Sequence, residues 1–441
     1  MRILILSILI FFIGKNANAQ TPLSLAEAIE IGLKNNFQIQ ISEQQIDIAK
    51  RNNTWQNTGR YPTINLQGTM NNGWNGQNNP TGFLQKFNSI STGLSGGIDV
   101  GWTLFDGYKV KINKKRLEQL EQQSQVSAKA TVENTIQQII LAYYNTLIQR
   151  EQISVLQEVL ALSYDRIEYQ EARKEFGQAG TFDVLQTNDA YLNDSTNLVI
   201  QQNTYEVALN NLKLAMGEEF SKDYRPSDAL EYVAQSYNLE DLQEKMFSNN
   251  RNLQNLFVNR ELAKTETDFQ QSNKYPRIGV NGGATVGATP SFLNVQEAQF
   301  QIDEGWNTTT NYGLYLNLSA SYNLYDAGAR QRNIDNAKVQ EMITQLSIED
   351  LKRNLTGQLQ NTLTNYHNQV HLLQLTETLI ENAKQNLSIS EQKFKAGQIS
   401  SFDYRSIQLA YINASQSKLR AIFNLKNTET ELVRLIGGLV E

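Results

Sequence analysis

The sequence contains no cysteine, which excludes disulfides, thiol catalysis, cysteine-ligated zinc and acylation of a lipoprotein cysteine. Only two histidines are present, so few side chains remain for soft-metal sites. No long basic run occurs, and the formal net charge is -6, which argues against a nucleic-acid partner. Charged residues make up 19% of the chain and apolar residues 40%, a composition typical of a folded protein.

Long apolar runs are also missing, because no stretch of the chain approaches 18 consecutive apolar residues. A mature chain of this kind that crosses a membrane must do so as a closed β-barrel. Residues 1–19 are predicted to be a cleavable signal peptide, with Arg2 as the positive end, Ile3–Ile13 as the apolar run and Ala17–Ala19 before the cleavage site. An uncleaved anchor is the alternative interpretation.

The second half of the chain repeats the first, which predicts an internal duplication. The matching marks are Asn35-Asn36 and Asn249-Asn250, Tyr61-Pro62 and Tyr275-Pro276, Leu104-Phe105-Asp106 and Leu324-Tyr325-Asp326, Phe182-Asp183 and Phe402-Asp403, and Gly217 and Gly437. We therefore expect a first repeat over residues 20–217, a linker over 218–238 and a second repeat over 239–441. Each repeat has the same predicted order: helix, strand, loop, strand, very long helix, break and helix.

Four stretches alternate between apolar and small polar residues, as half-buried or transmembrane strands do. The predicted strands cover about 61–70, 95–105, 275–286 and 311–325. Between them, Asn71–Leu94 and Gly287–Asn311 are predicted to be extracellular loops, the first because it is rich in Asn and Gly. The segments before the first strand of each copy, Leu23–Asn57 and Leu239–Gln271, are predicted to be helices. Ser24 and Glu27 have the spacing of a capping box at the start of the first.

Two helices of about 70 residues are predicted after the second strand of each copy, and each would be roughly 100 Å long. Their apolar residues recur every three or four positions, which is typical of coiled-coil packing. A shorter helix follows each and is expected to fold back, over Phe182–Met216 and Phe402–Ile436. The predicted helix reversals contain Gly177 and Gly180 in one copy and Gly397 in the other.

Four strands cannot close a barrel, and an open sheet in lipid would leave two edges of unpaired backbone groups. The edges must therefore pair with other copies of the chain. Two copies would give eight strands with a filled interior, whereas three would give twelve strands around a lumen. The alternation of apolar and polar residues favours a wet interior and hence a homotrimer.

The ordered set of features resembles the TolC-type outer-membrane efflux protein family, from about Leu23 to Gly437. The residues that carry the resemblance are Tyr61, Pro62, Tyr275 and Pro276 entering strands, Asp106, Gly107, Asp326 and Gly328 leaving them, and the segments Phe176–Asp183 and Phe394–Asp403 at the helix reversals. The resemblance implies a mainly α-helical chain that contributes four strands to a trimeric twelve-stranded outer-membrane barrel, continued by a periplasmic α-helical tunnel.

The resemblance also implies a function, that of a passive exit duct in a tripartite efflux or type I secretion system. The implied partners are a periplasmic adaptor protein, an inner-membrane pump and outer-membrane lipid, and no cofactor or catalytic residue is implied. No nucleotide-binding G-x-x-x-x-G-K-[ST] motif occurs, in keeping with a pump that supplies the energy. Which pump, adaptor and exported substrate belong to this chain is not encoded in any motif.

Family members narrow the tunnel entrance with acidic residues, and the matching positions here are Asp183 and Asp403. In a trimer each would form a ring of three carboxylates that attracts cations. The alternative is that each aspartate only caps its helix. Some members have a second acid where this chain has Ser406, and others lock the entrance with tyrosine and arginine near the positions of Phe394 and Ile399.

Three other interpretations compete with a channel. His367 and His371 are four residues apart on a predicted helix, but without a usual carboxylate set they are expected to be solvated rather than to bind metal. An enzyme is not expected, because no G-x-S-x-G motif accompanies the Ser, His and Asp residues. A trimeric coiled-coil envelope protein or adhesin stalk is the main alternative. That alternative predicts heptads without the duplication and without strands interrupting each half.

Overall fold

The computed structural model describes residues 21–230, 232–300 and 305–440. The predicted signal peptide, residues 1–19, lies outside the described residues. The elements in chain order are β1 (Thr21–Leu23), α1 (Leu25–Asn35), α2 (Phe37–Asn52), β2 (Thr63–Asn78), β3 (Leu84–Phe105), α3 (Lys109–Glu175), α4 (Thr181–Met216), β4 (Tyr224–Pro226), α5 (Leu239–Asn249), α6 (Arg251–Ser272), β5 (Arg277–Ala298), β6 (Gly305–Ser321), α7 (Ala329–Lys395) and α8 (Ser401–Leu435).

The chain divides into two compact units. One, the helical unit, comprises described residues 21–46, 124–230, 232–257 and 347–440. The other, the sheet unit, comprises described residues 47–123, 258–300 and 305–346. The order of elements predicted for each repeat is confirmed, because helix, two strands, long helix and returning helix occur twice in the same sequence.

The sheet unit is built on one four-stranded antiparallel sheet with the order β2-β3-β5-β6. The central pairing joins β3 of the first repeat to β5 of the second, with Val100 opposite Gly282 and Ile98 opposite Ala284. In the part of the chain that the structure describes, β2 and β6 each pair on one side only. The sheet therefore has two open edges, one from each repeat.

The strands extend well beyond their predicted lengths, so the prediction of long loops is wrong for most of residues 71–94 and 287–311. Strand β2 continues to Asn78, and a short connection over residues 79–83 leads directly into β3. The Asn- and Gly-rich composition misled the prediction because Asn and Gly occupy both sides of the ladder. Asn71 and Gly73 alternate with Asn72 and Trp74, and Trp74 is paired with Ile90. The last strand, β6, ends at Ser321 rather than near residue 325.

The helices predicted over Leu23–Asn57 and Leu239–Gln271 are each interrupted by an asparagine. The break falls at Asn36 between α1 and α2 and at Asn250 between α5 and α6. The side-chain Oδ1 of Asn36 accepts a hydrogen bond from the Gln38 amide at 2.9 Å, so it caps the second helix of the pair. The capping box of Ser24 and Glu27 is present as predicted.

The two long helices, α3 and α7, contain 67 residues each, close to the predicted length. The returning helices α4 and α8 contain 36 and 35 residues. Buried residues recur at three- and four-residue steps along these helices, so each helix has an apolar face. In the helical unit these faces pack into separate clusters. The cluster of the first repeat is built from residues of α1, α3 and α4, including Ile139, Tyr143, Leu147, Leu209, Leu212 and Met216.

The linker between the repeats is attached to the helical unit by hydrogen bonds. Strand β4 of the linker pairs in parallel with β1, with Tyr224 opposite Thr21. The hydroxyl of Tyr143 donates to the carbonyl of Leu23 at 2.8 Å, and the amide of Asp228 donates to the same hydroxyl. The linker therefore contacts both the beginning of the first repeat and its long helix.

Candidate functional site

The four-stranded sheet separates apolar from polar side chains onto opposite faces. One row across the strands holds Leu66, Ile98, Ala284 and Leu314, which are registered with one another. On this apolar face the side chains are exposed in the single chain; Leu66 is 83% exposed and Leu314 87%. Burying such residues in an apolar medium is favourable by about 25 cal/mol per Å² of surface. A face this large and apolar therefore requires a partner or a membrane.

The opposite, polar face is lined mainly by Asn, Thr, Ser and Gly. One row holds Thr63, Gly101, Asn281 and Asn317, registered in the same way. Charge on this face is sparse, and one of its carboxylates, Asp99, accepts a hydrogen bond from the Tyr315 hydroxyl at 2.5 Å. Small polar side chains of this kind line a surface that stays in contact with water.

The residues predicted to enter and leave the strands lie at the junctions of the sheet with the helices. Tyr61-Pro62 and Tyr275-Pro276 directly precede β2 and β5, where proline disfavours helical geometry in the residue before it. Asp106 and Gly107 lie between β3 and α3, and Asp326 and Gly328 lie between β6 and α7. Asp326 accepts hydrogen bonds from the amides of Gly328 and Arg330, both at 3.1 Å, and so begins the helix.

Each strand-to-helix turn contains two consecutive residues in the left-handed region. In the first repeat these are Gly107 at φ 74° and Tyr108 at φ 72°, and in the second they are Ala327 at φ 53° and Gly328 at φ 77°. A Cβ on Gly107 would collide with the carbonyl oxygen of Ser272, so only glycine fits there. Tyr108 and Ala327 were not singled out from the sequence, because nothing in their residue types signals a positive φ.

The predicted reversal glycines lie in the connections between the long and returning helices. Gly177 and Gly397 both have a φ of 68° and directly follow the last turns of α3 and α7. Gly180 precedes the first residue of α4 and has an ordinary extended conformation at φ −86°. Glycine is required by the backbone at the first two positions, whereas Gly180 serves as the residue before a helix start.

Asp183 and Asp403 occupy the third position of their helices, α4 and α8. Asp183 Oδ2 accepts a hydrogen bond from the Gly180 amide at 2.9 Å. Asp403 Oδ2 accepts from the Ser400 hydroxyl at 2.6 Å, while the Ser400 hydroxyl accepts from the Asp403 amide. The hydrogen bond from the Ser400 side chain, followed by that from its backbone, lowers the pKa of Asp403. Both carboxylates therefore cap helices, whatever further role they have.

The structure also describes Phe394, Ile399 and Ser406, the positions at which this chain departs from the pattern of the resembled family. Phe394 is buried, and its ring stacks on Tyr404 with 5.0 Å between centroids. Ile399 packs against the hydrophobic cluster that contains Phe394 and Tyr404. The Ser406 hydroxyl donates a hydrogen bond to the carbonyl of Asp403. An apolar contact therefore occupies the region where the resemblance would place a tyrosine and arginine lock.

A buried charged cluster close to the helix reversals was not predicted. Both oxygens of Asp194 on α4 accept hydrogen bonds from the guanidinium of Arg405 on α8, each at 2.6 Å. Asp194 is 2% exposed, and the Ser163 hydroxyl also donates to it at 2.6 Å. A second buried cation, Arg166, donates to the amide oxygen of Gln408 at 3.3 Å. Burial, followed by repulsion from Arg405, lowers the pKa of Arg166 to about 10.

A signal for this cluster was present in the sequence. Asp194 follows the buried Thr187 by seven residues, so it lies at a core position of the helix. Ser163 and Arg166 likewise lie in step with the buried Val159 on α3. Polar residues at apolar positions of a long helix mark buried ion pairs.

None of the described helices has an 18-residue stretch apolar enough to cross a membrane. Residues 21–230, 232–300 and 305–440 contain no group of three or more His, Cys, Asp or Glu side chains suited to a metal ion. His367 and His371 are both exposed on α7.

Comparison with known proteins gives one family and a set of similar folds. The family model described as outer membrane efflux protein matches residues 28–218 and again residues 242–438, so each repeat is matched separately. No curated protein matches the sequence.

The solved structures with a similar fold include three outer-membrane channels. The CmeC channel of Campylobacter jejuni has a TM-score of 0.72 at 12% identity, with 94% of this chain and 85% of that chain covered. The open state of the Neisseria gonorrhoeae MtrE channel has a TM-score of 0.68 at 16% identity, with 94% of this chain and 89% of that chain covered. CusC has a TM-score of 0.71 at 14% identity, with 97% of this chain and 96% of that chain covered.

Proposed function

This chain belongs to the outer membrane efflux protein family, and on that premise we propose that three copies form a twelve-stranded barrel continued by a helical tunnel. The protein is an outer-membrane channel and serves as the exit duct of a tripartite efflux system. The coiled-coil stalk considered as an alternative is contradicted by the duplication and by the two strands in each repeat.

One observation carries the trimer proposal: a sheet with one continuous apolar face, one polar face and two open edges. The apolar face, including Leu66 and Leu314, would contact lipid, and the polar face would line water. Open edges in lipid leave backbone groups unpaired at a cost of several kcal/mol each. Pairing β2 of one copy with β6 of the next removes every open edge when three copies close a ring.

The proposed duct is passive, and its partners would be a periplasmic adaptor and an inner-membrane pump. No catalytic role is assigned to any residue, and the energy for export would come from the pump. Residues 1–19 would direct export of the chain and be removed before Gln20.

Asp183 and Asp403 are proposed to line the narrow entrance of the tunnel in addition to capping their helices. The two capping hydrogen bonds described above use Oδ2 of each carboxylate. A carboxylate has further lone pairs, so one group can cap a helix and also attract cations. Three copies of each would give two rings of negative charge at the entrance.

Cysteine cross-linking tests the trimer directly, because the native chain has no cysteine. Thr69→Cys on β2 would be combined with Thr309→Cys, Asn311→Cys or Asn317→Cys on β6, one pair at a time. At least one pair is expected to give trimer-sized products in detergent, and the purified protein is expected to conduct ions across planar bilayers. Thr69→Cys with Ser95→Cys is the matched control, because these residues face each other within one sheet and cross-link inside the monomer.

A monomer that stays in solution without detergent would contradict the proposal. So would a trimer without conductance, or interchain cross-links that appear no more often than between unrelated surface positions.

A further inference from the structure

All four strands of the sheet meet the helices at one end, which is called the foot of the sheet here. Strands β2 and β5 begin there, at Thr63 and Arg277, and β3 and β6 finish there, at Phe105 and Ser321. Aromatic rings gather at this end. The Tyr108 ring is edge-on to Phe105 at 5.3 Å between centroids. Phe105 is paired with Ile278 of the apolar face, directly after a register shift in β3. The aromatic group therefore continues the apolar face.

Cationic side chains lie against these rings. The guanidinium carbon of Arg60 is 4.6 Å from the centroid of the Trp55 ring, and the Arg60 carbonyl accepts a hydrogen bond from Trp102 Nε1 at 2.9 Å. Lys111 Nζ is 6.0 Å from the centroid of the Tyr108 ring. Lys115 lies one helical turn beyond Lys111 on the same side of α3, and both side chains are exposed.

The described residues of the sheet unit do not neutralise these cations. In the sheet unit as described, no carboxylate forms an ion pair with Arg60, Lys111 or Lys115. The neighbouring Lys114 forms an ion pair with Glu118 at 2.9 Å. Arg330 in the second repeat also pairs with a carboxylate, that of Asp326. Among the described residues, Arg60, Lys111 and Lys115 thus carry charge without an ion-pair partner beside the rings of the first repeat.

Tyr108 has a left-handed backbone conformation that is unfavourable for a tyrosine. Its φ of 72° costs an L-amino acid on the order of 1 kcal/mol, and the corresponding residue of the second repeat is glycine, Gly328. Glycine would relieve that cost, whereas Tyr108 places an exposed aromatic ring at the foot of the sheet. Strain kept at an exposed aromatic residue is typical of a binding surface.

We propose that Arg60, Lys111 and Lys115, with the rings of Trp55, Trp102 and Tyr108, bind the headgroups of anionic phospholipids in the periplasmic leaflet. The inference rests on the proposed function, because that function puts the apolar face in lipid and the long helices in the periplasm. Aromatic rings favour the level of the headgroups, and unpaired cations beside them attract phosphate. The surface would hold the channel at a fixed depth in the membrane.

Tryptophan fluorescence tests this surface in the full-length trimer. Trp74→Phe and Trp306→Phe leave Trp55 and Trp102, both close to the foot, as the reporters. The protein is reconstituted in vesicles of phosphatidylcholine containing either brominated phosphatidylglycerol or brominated phosphatidylcholine, since bromine quenches nearby tryptophan. The ratio of the two quenching curves gives the preference for the anionic lipid at the foot.

The expected result is a preference for phosphatidylglycerol that falls about fivefold for each cation removed, and on the order of 100-fold for Arg60→Gln, Lys111→Gln and Lys115→Gln together. Lys111→Arg with Lys115→Arg should keep the preference. The matched control removes three exposed cations of the helical unit, through Lys174→Gln, Lys245→Gln and Lys384→Gln, and should leave the preference unchanged. Lys115→Gln alone provides a milder variant.

Conductance in planar bilayers, measured on the same samples, separates this inference from the proposed function. A conducting protein that shows no lipid preference, or a triple variant that retains it, overturns the lipid surface and leaves the channel intact. An equal loss in the control triple, or binding of isolated peptidoglycan through the same cations without a lipid preference, overturns it as well. A wild-type protein that never conducts counts against the channel and the surface together.

Discussion

The side-chain amide of Asn250 donates a hydrogen bond to the backbone carbonyl of Leu435, with 3.0 Å between the two atoms. The first repeat has the same arrangement, in which Asn36 donates to the carbonyl of Ala215 at 3.0 Å. In each repeat one asparagine therefore caps the second of two short helices and also binds the last turn of the returning helix. These hydrogen bonds fix the point at which the helices of one repeat meet.

Asn250→Ala is expected to destabilise the protein by about 1–3 kcal/mol, because it leaves the buried carbonyl of Leu435 and the amide of Leu253 without their partner. Asn36→Ala should cost less, since Asn36 is only half-buried whereas Asn250 is 3% exposed. The thermal midpoint of the helical circular dichroism signal in detergent measures both. Equal effects of the two substitutions would contradict this account.

Glycine-to-alanine substitutions should rank by backbone conformation and space. Gly437 has a φ of 69°, and a Cβ there would lie 2.6 Å from the carbonyl oxygen of Asn249, so Gly437→Ala is expected to cost about 2–4 kcal/mol. Gly397 has a similar φ but open space around it, and Gly397→Ala should cost about 1 kcal/mol. Gly357→Ala, inside α7 with nothing nearby, should stabilise by about 0.5–1 kcal/mol.

The same thermal midpoints test this ranking. An unchanged midpoint for Gly437→Ala would show that the junction with Asn249 can move apart without loss.

The buried carboxylate of Asp194 is bonded to the guanidinium of Arg405 and also attracts the charge of Arg166, which makes its removal costly. Asp194→Asn is expected to destabilise the helical unit by about 3–5 kcal/mol, because Arg405 and Arg166 would lose their buried counter-charge. Arg166→Met should cost far less, since it removes a buried cation whose pKa is already lowered by burial. Chemical denaturation of the two variants in detergent compares them. A larger loss of stability for Arg166→Met than for Asp194→Asn would show that Arg166, rather than Asp194, makes the dominant charge interaction of this cluster.

Cation selectivity separates the two roles of the tip aspartates. Asp183→Ala with Asp403→Ala should weaken cation selectivity in planar bilayers if both carboxylates line the entrance. Ser400→Ala is the matched control, because it removes the hydroxyl that caps α8 while keeping the Asp403 carboxylate. Selectivity that is the same in all three proteins would leave the aspartates with capping alone.

The pH dependence of the α8 cap follows from the lowered pKa of Asp403. Hydrogen bonds from Ser400 favour the ionised carboxylate in the folded protein, so the folded pKa lies below the ordinary value of 3.8. The stabilising effect is therefore complete above that value and is lost as the pH falls through the lower, folded pKa. Hydrogen-exchange protection at the start of α8, expressed relative to the intrinsic exchange rate at each pH, should be constant around neutral pH and fall only under strongly acidic conditions. A loss of protection near pH 6 would exclude the carboxylate as the cause.

Much of the fold could be predicted because it depends on patterns of residue type that can be read directly along the sequence. The duplication was visible in pairs such as Tyr61-Pro62 and Tyr275-Pro276, and the helix lengths followed from uninterrupted periodicity. The strand ends could not be predicted, since residues such as Asn71 and Gly73 resemble a loop unless the opposite face is considered. The helix breaks at Asn36 and Asn250 were missed because they depend on carbonyls about 180 residues away.

The candidate site was only partly predictable for a similar reason. Asp183 and Asp403 were identified through the family resemblance, as the positions that match its acidic entrance residues, and their capping bonds are local in sequence. Asp194 and Arg405 are more than 200 residues apart, and only the structure brings them together. The left-handed Tyr108 carries no sequence signal at all, because a tyrosine is not a residue that this conformation favours.

The pairing of β3 with β5 is the seam at which one repeat meets the other, and it joins two hairpins of equivalent origin. A chain of half this length would carry one hairpin and would need six identical copies to present the strands that three fused copies present. Fusion frees the two halves from being identical, so features such as Tyr108 can exist in one and be absent from the other. The surface of such an assembly would repeat three times around its axis, although its backbone repeats six times.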